Sequence, residues 1–277
     1  MSTLIDGRKT REALLPGLIK KIEKLSKAPT LAIVQIGDRP DSTAFIRAKK
    51  SFAKKIGVFE KHIQLKENAS LEEVLTVIKE CNDDPVVTGI IVQLPLPAHL
   101  DRDAVIDAID PKKDADGLTA SNVKSWLEGR SDAVWPATAR GIREMLHHYN
   151  ISMKGKKVTV VGRSMLVGKP IAAMCLNENA TVTICHRETV DLAKETSEAD
   201  IIIVATGKPG LIGREHVRSG QIVIDVGISR KADNTLSGDV DYDSVHESVE
   251  AISPVPGGVG PMTVFALFEN LIDLGNR

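Results

Sequence analysis

Short apolar runs recur along the chain with amphipathic stretches between them, and that alternation is what a parallel sheet built from βαβ units requires. Leu31 to Ile36, His62 to Leu65 and Gly89 to Val92 lie in the first half; Val158 to Val161, Thr181 to Cys185, Ile201 to Ala205 and Ile222 to Val226 lie in the second. Between such runs, apolar residues such as Leu14, Leu18, Ile22 and Leu25 return every three or four positions, as on one face of a helix. Pro16 is expected to kink or restart that helix, because its ring removes a backbone donor. The pattern implies an α/β protein of two domains. Asp114 to Gly117 reads as the turn leaving the first sheet, Ser121 to Asn150 as a helical connector, and Lys154 to Lys157 as the entry to a second sheet. The expected division is 1–120, with the helix 263–277 packing back on it, and 121–262.

Charge excludes several functions. Lys and Arg number 36 against 37 Asp and Glu, a net charge of −1, so neither nucleic acid nor a membrane surface is an expected partner. The uncharged run from Ala251 to Phe268 is broken by Pro254, Pro256 and Pro261, which argues against a membrane span. The charged, apolar-poor start argues against a cleaved leader, and three widely spaced cysteines suit a reducing compartment, so a cytoplasmic location is expected. The seven histidines form no HExxH pattern or Cys/His cluster, and no metal is expected.

Four segments have the residue types for chemistry. Val160 to Pro170 follows a strand run and opens a helical one; Gly162 and Gly168 suit a tight turn with amides offered to a pyrophosphate, or equally a plain βα turn. The next strand ends at Cys185-His186-Arg187, where an NAD site places an acid; Arg187 with Arg163 suits a 2′-phosphate and favours NADP, although an exposed arginine at a strand end is usually only solvated. On a helix capped by Asp41, Phe45, Lys49, Phe52 and Ile56 share one face. A lysine on that stripe loses hydration and becomes a candidate base, unless its ammonium snorkels to water. Gln93 ends the third strand run, where ligands of open α/β sheets bind, or simply bonds a loop; Asp114 and Asp116 follow in a turn that their type alone explains. Ser253 to Thr263 is rich in glycine and proline, suited to close backbone approach to a ligand or to a hinge.

Taken together, Ile5-Asp6-Gly7, Val92 to Pro97, Lys113 to Leu118, Gly162-Arg163-Ser164 with Val167 to Pro170, Gly207 to Gly210 and Pro254 to Thr263 resemble the methylenetetrahydrofolate dehydrogenase/methenyltetrahydrofolate cyclohydrolase family over nearly the whole chain. The resemblance implies an N-terminal α/β folate-binding domain, a C-terminal Rossmann-type NADP domain and a homodimer. It implies oxidation of 5,10-methylenetetrahydrofolate and hydrolysis of the methenyl product to 10-formyltetrahydrofolate. Carried over residue by residue, Lys49, Gln93 and Asp116 are catalytic, and Phe45, Gln93, Asp116, Pro256, Gly257 and Gly258 contact the folate. Gly162, Arg163, Ser164, Val167, Gly168, Arg187, Gly207 and Ile228 hold NADP.

This chain departs from the family pattern at Phe45, where a tyrosine is usual, at Ser51, where a lysine is usual, and at Pro136-Ala137-Thr138-Ala139, where Pro-Cys-Thr-Pro is usual. The departures bear on the hydrolytic step, which is expected to be reduced. Two other readings are a paralogue that binds folate or NADP without turnover, and a two-domain NADP oxidoreductase acting on another substrate.

Overall fold

The computed structural model describes residues 2–230 and 235–277, and residues 1 and 231–234 of the expected domain spans lie outside these. In chain order the strands are β1 (Thr3–Leu4), β2 (Thr30–Ile36), β3 (Phe59–Leu65), β4 (Gly89–Val92), β5 (Lys157–Val161), β6 (Thr181–Cys185), β7 (Ile201–Val204), β8 (Ile222–Asp225), β9 (Ser229–Arg230), β10 (Leu236–Ser237) and β11 (Ala251–Ile252). The helices are α1 (Gly7–Glu23), α2 (Pro40–Ile56), α3 (Leu71–Asp83), α4 (Arg102–Asp107), α5 (Ala120–Leu127), α6 (Ala137–His148), α7 (Gly168–Asn177), α8 (Leu192–Ser197), α9 (Tyr242–Val245) and α10 (Val259–Gly275).

The chain forms two compact units. The first comprises Leu14–Ala137 with Val264–Arg277; the second comprises residues up to Ala13 with Thr138–Thr263. This differs from the expected division at both ends. Residues 121–137 belong to the first unit because Trp126 and Trp135 pack ring on ring at 5.8 Å and the Asn270 amide donates to the carbonyls of Ala115 and Trp135. The first residues belong to the second unit because β1 pairs in parallel with β11, Thr3 opposite Ala251.

In the first unit a parallel sheet runs β3-β2-β4. Every residue of β2 is buried, as suits the central strand of a sheet covered on both faces. Val34, Ile90 and Val92 of the sheet join Val74 and Ile78 of α3 and Val105 of α4 in one apolar core. Helix α3 is started by a capping box in which Ser70 and Glu73 bond each other's backbone N–H groups. Helix α2 meets α10 through Phe52, whose ring lies 6.4 Å from Phe265 and 5.5 Å from Phe268.

In the second unit six strands run β1-β11-β8-β7-β5-β6, each pairing parallel. The chain leaves β5 for β6 on one side and then crosses to β7 on the other, so the topological switch falls at β5, whose carboxyl end is the expected ligand crevice of such a sheet.

Two local expectations change. Helix α1 continues through Pro16 rather than restarting. Helix α2 begins at Pro40 in the first turn, with Arg39 and not Asp41 at the cap position, because proline's fixed φ and absent N–H suit a helix start.

Candidate active site

Helix α2 places Lys49 half-buried at the edge of its apolar stripe, and the Lys49 ammonium Nζ donates to Gln93 Oε1 at 3.0 Å. Gln93 is itself nearly buried; its backbone N–H donates to the Val34 carbonyl, which extends the sheet one residue past β4, and its Nε2 donates to the Leu94 carbonyl. Both ends of that side chain are therefore fixed.

Asp116 reaches the same place by a short backbone ladder. Ile90 N–H donates to the Lys113 carbonyl and Ala115 N–H to the Ile90 carbonyl, so residues 113–115 run beside β4. Asp114, 1% exposed, is the turn former: its carboxylate accepts from the Asp116 and Thr119 N–H groups and from the Asn122 amide. Asp116 lies close enough to Lys49 for their charges to interact.

Electrostatics tie the pair together. Burial pushes the Lys49 pKa below its usual 10.5, and the Asp116 carboxylate partly offsets that fall. Burial pushes the Asp116 carboxyl above its usual range, the Lys49 charge opposing the rise and the Asp114 charge adding to it. A lysine whose neutral form is favoured, held by an amide and facing a carboxylate, is equipped to move a proton.

Phe45 is not part of the buried stripe. The buried positions of α2 are Ser42, Ile46, Phe52, Ala53 and Ile56, and Phe45 is 46% exposed. It stands at the margin of that face, near the helix start. Ser51 is exposed on the same helix, while Ala137 and Ala139 are buried at the start of α6.

The second unit holds the residues expected at a nucleotide. Gly162 has φ +128, and a Cβ there would lie 2.2 Å from the Ala205 carbonyl oxygen; a Cβ on Gly168 would lie 2.1 Å from the Gly162 carbonyl oxygen. Only glycine fits either position. The amides at the start of α7 are not free, contrary to expectation: Val167 and Gly168 N–H donate to Ser164 Oγ, and Lys169 N–H to the Ser164 carbonyl. With both hydroxyl lone pairs engaged, Ser164 has its proton left to donate outward. Arg163 and Lys169 are exposed beside it. Glycines that bring backbone close, a fixed hydroxyl donor and two cations fit the phosphates of a dinucleotide.

Arg187 is exposed, and its Nε donates to Glu188 at 2.9 Å, so an acid does stand by this strand end, against expectation. Such an exposed pair is weak. Ile228 is 43% exposed, and Gly207, with φ +68, follows the end of β7. Pro256, Gly257 and Gly258 belong to the second unit and not to the one holding Lys49; Gly257 has φ +113, and its carbonyl accepts from Arg8 N–H. Among the described residues no three His, Cys, Asp or Glu side chains group as metal ligands would.

Two family profiles cover most of the chain: the catalytic domain of tetrahydrofolate dehydrogenase/cyclohydrolase matches residues 5–116, and the NAD(P)-binding domain of the same enzymes matches residues 136–277. The chain belongs to this family. The bifunctional protein FolD of Agathobacter rectalis is 44% identical over 280 residues, with 100% of each chain covered. The crystal structure of the bifunctional FolD methylenetetrahydrofolate dehydrogenase/cyclohydrolase from Campylobacter jejuni superposes with a TM-score of 0.97 at 37% identity, covering 100% of this chain and 99% of that one. The Trypanosoma brucei enzyme, solved with NADP cofactor and an inhibitor, gives 0.94 at 34% identity, covering 100% and 98%.

Within this tetrahydrofolate dehydrogenase/cyclohydrolase chain, sequence periodicity located Lys49 and strand-end logic located Gln93. The buried pair Asp225 and Asp239 escaped notice. Asp239 binds the turn after β7 from 32 and 33 residues away, a link with no spacing signature.

Proposed function

We propose that the protein oxidises 5,10-methylenetetrahydrofolate to the 5,10-methenyl form with NADP and hydrolyses that product to 10-formyltetrahydrofolate. The observation that carries this reading is the Lys49–Gln93 hydrogen bond at 3.0 Å, beside Asp116, within the span that matches the family's catalytic domain.

NADP, when bound, accepts the hydride from the methylene carbon. Arg163, Ser164 and Arg187 take its phosphates, Gly162, Val167, Gly168 and Gly207 let it approach the backbone, and Ile228 covers an apolar face. Asp116 accepts from the pterin's amino and ring N–H groups, and the exposed ring of Phe45 stacks on the folate. Pro256, Gly257 and Gly258 complete the folate contacts in this reading, on the strength of the family resemblance.

The methenyl product is a cation, and a protonated Lys49 would be repelled by it. Burial favours the neutral amine. In the hydrolytic step the neutral Lys49 takes a proton from the water that attacks the methenyl carbon, while Gln93 keeps the amine aimed. The ring C–N bond then breaks as Lys49 returns that proton to the ring nitrogen, and the water's second proton leaves to solvent as the hydroxyl on the former methenyl carbon becomes the formyl carbonyl. Phe45 gives the amine no hydroxyl partner, so hydrolysis is slower than in an enzyme with tyrosine there.

The protein works as a homodimer in the cytoplasm in this reading, a location supported by three free, buried cysteines. Size-exclusion chromatography with light scattering tests the dimer. The activity is tested by mixing the protein with methylenetetrahydrofolate and NADP: NADPH should form with saturation in folate. Absence of NADPH, or NADPH formation that ignores folate, overturns the reading.

A further inference from the structure

Asp225 and Asp239 are buried, 3% and 0% exposed, in the second unit. Asp225 ends β8. Its Oδ1 accepts from Gly227 N–H at 2.9 Å and Asp239 N–H at 3.0 Å, its Oδ2 from Val240 N–H at 2.9 Å, and its own N–H donates to Ser253 Oγ at 2.8 Å. The backbone at Asp239 is thereby pinned to the sheet. Asp239 Oδ2 in turn accepts from Thr206 N–H at 2.6 Å, Thr206 Oγ1 at 2.9 Å and Gly207 N–H at 2.9 Å. Its other oxygen, Oδ1, is buried with no hydrogen-bond partner.

The fit around both carboxylates is close. A Cβ on Gly227 would lie 2.2 Å from the Asp239 carboxyl carbon, and one on Gly238 would lie 1.9 Å from Asp225 Oδ2. Neither side chain has room to swing away. Thr206 and Gly207 are exposed on their outer side, directly after Ala205, whose carbonyl the Gly162 turn approaches.

We infer that Asp239 is a positioning residue for the cofactor: it draws the amides of the Thr206–Gly207 turn inward and so fixes the crevice wall at the carboxyl end of β7. The inference rests on the cofactor reading above and goes beyond it in assigning a buried residue that touches no ligand. One oxygen receives all three donors and the other receives none, so the acceptor position is what the turn uses. Asparagine offers the same acceptor and places its amide nitrogen at the unpartnered oxygen.

The test uses the full enzyme with two assays. Methenyltetrahydrofolate hydrolysis consumes no cofactor and reports an intact first unit; NADP-dependent oxidation reports the cofactor site. Asp239→Ala should raise KM for NADP at least tenfold and Thr206→Val at least threefold, with hydrolysis within twofold of the parent in both. Asp239→Asn should keep KM for NADP within threefold. Should Asp239→Ala fail to fold, Thr206→Val, an exposed position, decides. A parent that reduces NADP while Thr206→Val and any folded Asp239→Ala keep its KM overturns the inference alone; so does equal loss of both activities in Thr206→Val. A parent that hydrolyses the methenyl compound but reduces no NADP overturns the cofactor reading and the inference with it.

Discussion

Replacing Lys49 by methionine keeps the apolar stem on α2 and removes the amine that bonds Gln93 at 3.0 Å. Removal of a general base costs about 10²–10⁴ in rate, or about 2.7–5.4 kcal/mol of transition-state stabilisation at about 1.36 kcal/mol per decade. Hydride transfer asks no proton of this chain, and the substitution leaves Asp116, the proposed pterin contact, in place. Oxidation should therefore stay within about tenfold of the parent, the allowance for looser placement. The pH dependence follows from the same group. Burial lowers the Lys49 pKa below 10.5, so the neutral fraction and the hydrolysis rate climb as pH rises toward that lowered value, and Lys49→Met should lose the climb. Stability runs the same way: below the lowered pKa the folded state bears the full cost of a desolvated ammonium, and that cost fades as pH rises from the lowered value to 10.5. The variant is relieved of it at neutral pH but leaves Asp116 without its cation, so the two effects oppose and the melting temperature should move little. The assay is methenyltetrahydrofolate decay by absorbance across pH, beside NADPH formation and a circular-dichroism melt. Parent-rate hydrolysis by the variant, or equal loss of both activities, refutes the role of base.

Phe45→Tyr should raise the ratio of hydrolysis to oxidation severalfold, since one neutral hydrogen bond to the amine is worth about 0.5–1.5 kcal/mol; an unchanged ratio makes the phenylalanine silent. The parent should prefer NADP over NAD by at least about tenfold in kcat/KM, as charge-assisted bonds of about 1.5–3 kcal/mol imply, and Arg187→Ala should narrow that preference; equal kcat/KM for the two cofactors would sink the phosphate assignment. Gly162→Ala must displace the Ala205 carbonyl, which a Cβ would meet at 2.2 Å, so NADP binding measured by calorimetry should fall far more than methenyl hydrolysis; an unchanged Kd contradicts the crevice described.

What the sequence disclosed was what periodicity and strand ends encode. The apolar repeat placed Lys49 on a stripe, and the run ending at Gln93 placed an amide at a sheet's carboxyl end, both local patterns. Phe45 shares the repeat yet is 46% exposed, because burial depends on which elements cover a helix near its start. The Gly162–Gly168 spacing suggested free amides, but not that the Ser164 hydroxyl occupies those of Val167 and Gly168, a consequence of one rotamer. The domain boundary shifted through contacts made far apart in sequence, the Trp126–Trp135 packing with Asn270 and the two-residue pairing of β1 with β11. Asp239 was invisible for the same reason.

The role proposed for Lys49 rests on partial burial lowering the pKa of its amine, with Asp116 as the charge that restrains the shift. The measurement that bears on it most directly is an NMR titration of the Lys49 side chain with isotope-labelled lysine, assigned with Lys49→Met and repeated in Asp116→Asn. The midpoint should lie below 10.5 in the parent and lower still once the Asp116 charge is gone. A parent midpoint at or above 10.5, or an upward move in Asp116→Asn, would contradict the account.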